Sequence, residues 1–500
     1  MCSVQDDDMP LKRPEKDKSL GRLCMKCKEE PAVLITRVND AFCRGCFQVY
    51  VTHKFRAAIG KTKLVRDGEH ILVAFSGGPS SSALLSLIQE GLSQRAHKKL
   101  RFKPGLIFID EGAAIGRCAA ERLAICEKVQ SVMTNSGFPC YIKSLEEALE
   151  LMPENEGKST GNTHTVSTEI NNSADCNSSQ ADSSASVTLS GLHSSTSPAF
   201  RDGDSSIESV RTEDIKSNYQ INVNLEQRLK ETIDSMKSVS AREDFIRSLR
   251  HKILLDVARH CGYSKVMLGS CGTQLAVRLL TDISTGRGAH AAMETAFADR
   301  RLKDIMFLRP MRDFSSKEVA MYNSFHNVET IFIPSLTTKA ETNVSIEHLT
   351  ESFVTGLQAD YPSTVSNIMR TGEKLDSSTE KKVDKHCAMC QAPLDTSVGV
   401  SSALSAVEFS QKISQGCIEG DNSSKTVECC GEGDGSCQST AQNSPDQKEV
   451  LSSLCYACRL TVRDMDDVNK LPQYVLSDVA WRSRRSNMKK EIEGFLLHDV

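Results

Sequence analysis

Long apolar runs are missing from this 500-residue sequence. No stretch suffices for a helix across a bilayer, and the opening MCSVQDDDMPLKRPEK is too polar to be expected as a secretory signal. Aromatic residues are scarce, 5% of the chain with a single tryptophan, so base stacking is not expected to dominate any contact with nucleic acid. Net charge is also small, -4 at pH 7. The first two absences predict a cytosolic or nuclear protein. Disulfides are rare there, so the nineteen cysteines predict metal binding or reactive thiols. The length allows two to four domains and a sizeable core.

The small net charge conceals an uneven distribution. Residues 153–216 hold ten acids and four bases, and residues 391–454 hold nine acids and three bases. Both are rich in Ser, Asn, Thr and Gly and poor in aromatics, the composition of disordered insertions. Without them the chain carries a net +8. A cationic body suggests an anionic partner, with nucleic acid the first candidate. Solvation of helix faces is the plainer explanation of the same lysines and arginines.

Strand and helix patterns alternate from Lys63 onward. Strands are expected at 71–75, 105–110, 140–142, 265–268, 304–308 and 330–333, and helices at 81–92, 116–136, 225–237, 242–260, from 273, at 316–325 and at 346–370. In the 242–260 segment Phe245, Ile246, Leu249, Ile253, Leu254 and Val257 fall on one face. Alternation of this kind predicts an α/β fold with a parallel sheet covered on both sides and a ligand site beyond the carboxyl ends of its strands. The expected organisation is a tail at 1–20, a first Cys-pair module at 21–60, an α/β domain at 61–375 interrupted at 153–216, a second Cys-pair module at 376–470 interrupted at 391–454, and a basic helix or tail at 471–500.

Cys24-x2-Cys27 and Cys43-x2-Cys46 are fifteen residues apart. Two knuckles at this spacing can close a tetrahedron of thiolates on one structural zinc ion. Cys387-x2-Cys390 and Cys455-x2-Cys458 repeat the pattern around the second insertion. Loop-closure entropy grows only logarithmically with length, so a second zinc site is physically allowed. Cys417, Cys429, Cys430 and Cys437 fall inside the insertion as bystanders, while Cys118, Cys126, Cys140 and Cys261 are expected as core residues.

The stretch AFSGGPSSSALL, Ala74 to Leu85, reads as a strand end, a glycine turn and a helix start. Such a turn aims backbone N–H groups at one point and suits a phosphate. It carries no charged side chain. Ser76, Gly77, Gly78 and Ser81 can offer donors to a nucleotide, or the loop keeps only the turn that packs strand on helix. The second reading is the expectation.

SGGPSS at Ser76–Ser81 closely resembles the pyrophosphate loop, Ser-Gly-Gly-x-Asp-Ser, of the PP-loop ATP pyrophosphatases. FIDEGAAIGR, Phe108 to Arg117, resembles a stretch of the wobble-uridine thiolases within that superfamily. With the flanking Cys pairs, the combination most resembles the cytoplasmic tRNA 2-thiolation protein 2 family, from about Leu23 to Cys458. The resemblance implies a PP-loop, adenine nucleotide alpha-hydrolase-like domain in the cytoplasm. It also implies zinc at the Cys pairs and a heterodimer with a catalytic thiolase paralogue. The paralogue would transfer sulfur to tRNA from a thiocarboxylated ubiquitin-like carrier.

Departures from the superfamily pattern weigh against catalysis. The loop Asp falls at Ser80. The thiolases' catalytic Cys-x-x-Cys falls near Ser240-Ala241-Arg242-Glu243-Asp244, which has no cysteine, and their later paired acids fall at Thr273 and Gln274. Sulfur transfer needs a low-pKa thiolate, and only Cys271 lies near. The degenerate nucleotide loop is therefore assigned Ser76, Gly77, Gly78, Ser80, Ser81 and Asp110, with ATP binding doubtful and no catalytic residue. The expected role is a tRNA-binding, scaffolding subunit. A self-sufficient ATP-dependent thiolase and a zinc-bearing interaction protein with an inert domain are the alternatives. Contacts to RNA phosphates are expected from Lys54, Arg56, Lys98, Lys99, Arg101, Arg300, Arg301, Arg312, Arg484 and Arg485.

Overall fold

Strand order explains where the site lies. The computed structural model describes residues 21–36, 40–94, 96, 99–152, 219–302, 304–339, 345–375, 386–394, 446–463, 465 and 467–493. Contacts divide the chain into a body, Met1–Pro153 with Thr212–Val500, and a segment, Glu154–Arg211, that lies outside the described residues. So do Lys98, the tail 1–20, the four insertion cysteines and most of both expected insertions.

In chain order the elements begin with β1 (Leu34–Ile35), β2 (Ala41–Phe42), α1 (Arg44–Thr62), β3 (His70–Ala74), α2 (Pro79–Leu92), β4 (Lys103–Asp110), α3 (Ala119–Asn135) and β5 (Cys140–Ser144). Then come α4 (Val223–Asp234), α5 (Val239–His260), β6 (Lys265–Met267), α6 (Gly272–Ser284), α7 (Gly288–Thr295), β7 (Ala298–Asp299), β8 (Met306–Leu308) and α8 (Ser316–His326). The chain continues through α9 (Leu336–Lys339), α10 (Ile346–Asp360), α11 (Thr364–Gly372), α12 (Gln447–Ser452), α13 (Tyr456–Val462) and α14 (Gln473–Glu493).

Six strands form one sheet in the order β5-β4-β3-β6-β8-β7, parallel except for the β7–β8 pair. The chain leaves β3 toward β4 and β5, then returns to lay β6 on the other side of β3. The crevice beyond the ends of β3 and β6 is thus the topological switch point, where open α/β sheets bind ligands. Register sets Val73 opposite both Leu106 and Met267.

Both sheet faces are buried. Ile71 and Val73 belong to one core with α1, α2, α3 and α8, while Leu72 belongs to the other with α4, α5, α13 and α14. Period-two alternation along β3 makes this division. Phe47, Val51, Phe55 and Ile59 recur every four residues on the buried face of α1. They tie the first Cys-pair region into the sheet's core. The second region does the same on the opposite side, through Cys387, Ala388, Met389, Cys455 and Cys458.

Several sequence expectations are corrected. The 330–333 segment lies outside the sheet: β3 is already flanked by β4 and β6, and Ile331 N–H reaches over to Gly77 O at 2.8 Å. The expected 346–370 helix divides into α10 and α11 at Pro362, whose ring and missing N–H end a helix. The expected 116–136 helix begins only at Ala119, after a 3-10 turn at Gly112–Ile115 and a left-handed Gly116. The second insertion is shorter than 391–454, because α12 buries Val450 and Leu454 follows it into the core. Cys126 and Cys140 are buried, but Cys118 and Cys261 are exposed at element ends.

Candidate functional site

The two cysteine clusters repeat one local design. Cys24 O accepts from Lys28 N at 2.8 Å, and Cys387 O accepts from Gln391 N at 2.9 Å; Lys28 and Gln391 both adopt positive φ. Antiparallel bridges Leu23–Pro31 and His386–Pro393 close the two knuckles. The second pair of each cluster starts a helix, with Cys43 as N-cap of α1 and Cys455 as N-cap of α13. Helix N-termini stabilise anionic sulfur. In both clusters the four ligand atoms lie within 4.8 Å of one another.

Electrostatics in the first cluster fit a cation. Burial opposes ionisation of Cys24, but surrounding N–H groups outweigh it and bring the thiol down to about 6. The Cys46 N–H favours a Cys43 thiolate, yet burial and neighbouring groups push Cys43 up to about 12. Crowded thiols therefore resist joint ionisation, an obstacle that a divalent metal removes. In the second cluster Arg287 Nη2 approaches Cys458 Sγ at 3.6 Å. Arg287 also bonds Asp244, which accepts from Thr461 Oγ1 at 2.8 Å. This links α5, α13 and the loop before α7. Asp244 and Glu243, near the expected place of a thiolase Cys-x-x-Cys, here serve packing, with Glu243 accepting from Ser345 Oγ.

The phosphate-loop candidates come together between β3 and α2. Pro79 opens α2, where a missing N–H is tolerated. The loop hydroxyls bond within the loop. Ser76 Oγ and Ser81 Oγ are 3.1 Å apart, Ser81 Oγ donates to Gly78 O at 3.0 Å, and Ser82 Oγ donates to Gly77 O at 3.1 Å. Gly77 has φ +75°, and a Cβ there would meet Ile331 Cβ at 3.2 Å. At Gly269, after β6, a Cβ would stand 2.9 Å from Ser81 Cα, so the two loops at the switch point touch backbone to backbone.

Asp110 closes β4 but is committed to a buried network. It accepts from Arg122 Nε at 2.6 Å, Tyr219 Oη at 2.5 Å and Gly112 N at 2.9 Å. Arg122 also holds Glu146 at 2.5 Å and Glu226 at 3.1 Å. Burial raises the Glu146 pKa, overcoming the pull of Arg122. Gln274 and Thr273 act as caps: Gln274 Oε1 accepts from Cys271 N at 3.0 Å, and Thr273 Oγ1 accepts from Ser316 N at 3.1 Å. Cys271 is buried, with its Sγ 3.4 Å from Ser316 Oγ.

A cleft of about 880 Å³ opens beyond these strand ends. Ser76, Ser80 and Ser81 line it, as do Asp110, Phe332 and Cys390. The approach of Cys390 to this wall had no sequence signal, since 121 residues separate it from Gly269. The cationic lining, including Arg117, Arg247, Arg250 and Arg278, was equally hidden in helix and loop text.

The RNA candidates separate into two groups. Lys54 bonds Glu318 at 2.7 Å and stands over the Phe314 ring. Arg301 is held by Glu294 and Asp299, and Arg312 by Glu373 and Thr295 O. Each of these three is paired with an acid within the body. Arg56 lies 3.6 Å from Glu90, and Arg101 forms an exposed pair with Asp67 at 3.0 Å. Lys99, Arg300, Arg484 and Arg485 are exposed.

Fold and site together define an α/β protein with a glycine turn at the switch point of its sheet and two four-cysteine clusters. A family profile described as Cytoplasmic tRNA 2-thiolation protein 2 matches residues 345–460. Cytoplasmic tRNA 2-thiolation protein 2-B of Xenopus laevis is 41% identical, covering 100% of this chain and 99% of the relative. The Danio rerio protein 2 is 40% identical over 100% and 99%, and the Homo sapiens protein 2 is 33% identical over 100% and 98%. Among solved structures, the U34-tRNA thiolase NcsA from Methanococcus maripaludis, with its 4Fe-4S cluster, aligns at TM-score 0.45 and 13% identity, covering 74% of this chain and 92% of that one. The chain belongs to the cytoplasmic tRNA 2-thiolation protein 2 family. The expected cytoplasmic location agrees with the name these relatives share. No helix among the described residues is long and apolar enough to cross a membrane.

Proposed function

We propose that the chain is the non-catalytic subunit of the cytosolic complex that 2-thiolates the wobble uridine of tRNAs. It pairs with a catalytic PP-loop paralogue, which transfers sulfur from a thiocarboxylated ubiquitin-like carrier, and it helps hold the tRNA. The carrying observation is the phosphate loop, where the Ser76, Ser81 and Ser82 hydroxyls bond to one another or to the loop's own carbonyls. Ser80 stands where an acid would be expected, and Asp110 is held by Arg122. The buried Cys271 adds support, since a sulfur carrier must be reached by its donor. In this reading zinc occupies both cysteine clusters, each knuckle holding a segment of chain against the body. The groups would be Cys24, Cys27, Cys43 and Cys46, and Cys387, Cys390, Cys455 and Cys458.

Cys390 on the cleft wall favours a second reading, a self-sufficient ATP-dependent thiolase that uses the second cluster. One assay separates the two. The purified chain is incubated with tRNA, ATP and a sulfur donor, with and without the paralogue, and 2-thiouridine is measured. The proposal expects product only with the paralogue. Product from the chain alone selects the second reading. Unchanged product from the paralogue after this chain is removed refutes the proposal, and no product from the chain alone refutes the second reading.

A further inference from the structure

Residues 330–334 form a strap beside the phosphate loop. Ile331 N–H bonds Gly77 O at 2.8 Å, and the Arg117 guanidinium bonds Pro334 O. Ile331 and Ile333 pack against the core shared by β3 and α2. Exposure alternates along the strap, with Phe332 exposed between half-buried Ile331 and Ile333. Its ring is 81% exposed and lines the cleft with Ser76 and Ser80. The strap is anchored on both sides of this residue, so its backbone loses little further freedom when the ring makes a contact.

We propose that Phe332 is a stacking platform for an unpaired nucleobase of the tRNA. The proposal rests on the reading that this chain contacts tRNA. The exposed Arg250, paired with Glu111, and the half-buried Arg247, paired with Asp244 and Asp282, line the same cleft. Guanidinium groups beside an exposed ring suit a ligand with flat apolar faces on an anionic backbone. Unstacked nucleotides have that chemistry, and aromatic rings receive them face to face. A protein hot spot instead gathers several apolar anchors. On the strap Phe332 projects alone, with exposed Thr330 and Ser335 on either side. Such a site does not need many aromatics and agrees with a chain otherwise expected to touch phosphates.

The test uses the full chain assembled with the paralogue. The probe is an anticodon stem–loop RNA carrying 2-aminopurine at one loop position at a time. Wild type and Phe332→Trp should bind alike and change the fluorescence at one position. Phe332→Ala and Phe332→Leu should abolish that change and weaken binding roughly fivefold or more. Unchanged binding and fluorescence in the Ala variant overturns the proposal. So does rescue by Leu equal to that by Trp, which assigns the ring to an apolar protein contact; subunit association measured beside it would then fall in the Ala variant. If a complex without this chain binds the RNA equally well, the tRNA-contact reading itself fails.

Discussion

Arg122 Nε donates to Asp110 Oδ2 at 2.6 Å, with both side chains shut off from water. Asp110 stands at the carboxyl end of β4, on the ligand edge of the sheet. Its carboxylate is thus spent on a scaffold that also gathers Glu146, Glu226 and Tyr219. Removing the cation would leave buried acids uncompensated. Arg122→Met should destabilise the protein by about 3–5 kcal/mol. Chemical denaturation measures this, and a loss under about 1 kcal/mol would contradict the network's structural role.

Metal content tests the two clusters independently. Wild type should hold two zinc ions per chain, one in each four-thiolate site. Cys24→Ser or Cys43→Ser should remove one, and Cys387→Ser or Cys455→Ser the other. Elemental analysis of purified protein reads the result. Unchanged metal content in the first two variants would exclude the first site.

Acid should selectively weaken the join between β3 and β6. Burial works against the Glu69 charge, but Lys265, Ser264 Oγ and the Arg66 N–H outweigh it and hold its pKa below the ordinary 4.5. A depressed folded-state pKa adds stability that is complete above the unfolded value and lost as pH falls through the folded one. Glu69→Gln should therefore cost about 1 kcal/mol at neutral pH, a modest figure for a partly solvated pair. Its difference from wild type should vanish in strong acid. Denaturation curves across that range would reveal a constant difference if the charge is not responsible.

Charge reversal should distinguish binding arginines from structural ones. Arg484→Glu with Arg485→Glu, on the exposed end of α14, should reduce tRNA affinity and make its salt dependence shallower. Filter binding at several salt concentrations checks both. An unchanged slope would remove this helix from the RNA surface. Arg301→Gln should instead lower thermal stability, because Asp299 and Glu294 lose their buried partner.

Much of the fold is written locally. The continuous apolar run of β3, the helical stripe of α5 and the Ser-Gly-Gly-Pro turn each depend on neighbours within one or two turns of chain. The cysteine spacings likewise announce both clusters, since a knuckle is built within four residues. The 330–333 segment reads as a strand in sequence yet joins no sheet, because an apolar run does not reveal whether a sheet has a free edge.

Tertiary structure decided what each charge is for. Lys54 and Lys99 are alike as text, both basic residues in polar surroundings. Glu318, 264 positions beyond Lys54, withdraws it from solvent, while Lys99 stays exposed. Asp110 belongs to a sequence stretch that resembles one in the wobble-uridine thiolases, yet in the fold it joins a buried network with Arg122, Glu146 and Tyr219. The approach of Cys390 to the cleft and the outward turn of Phe332 depend on the same kind of long-range packing. Local patterns determine which elements form. An ion pair or a cleft wall joins distant positions, and only the folded arrangement of the sheet and its helices brings them within reach.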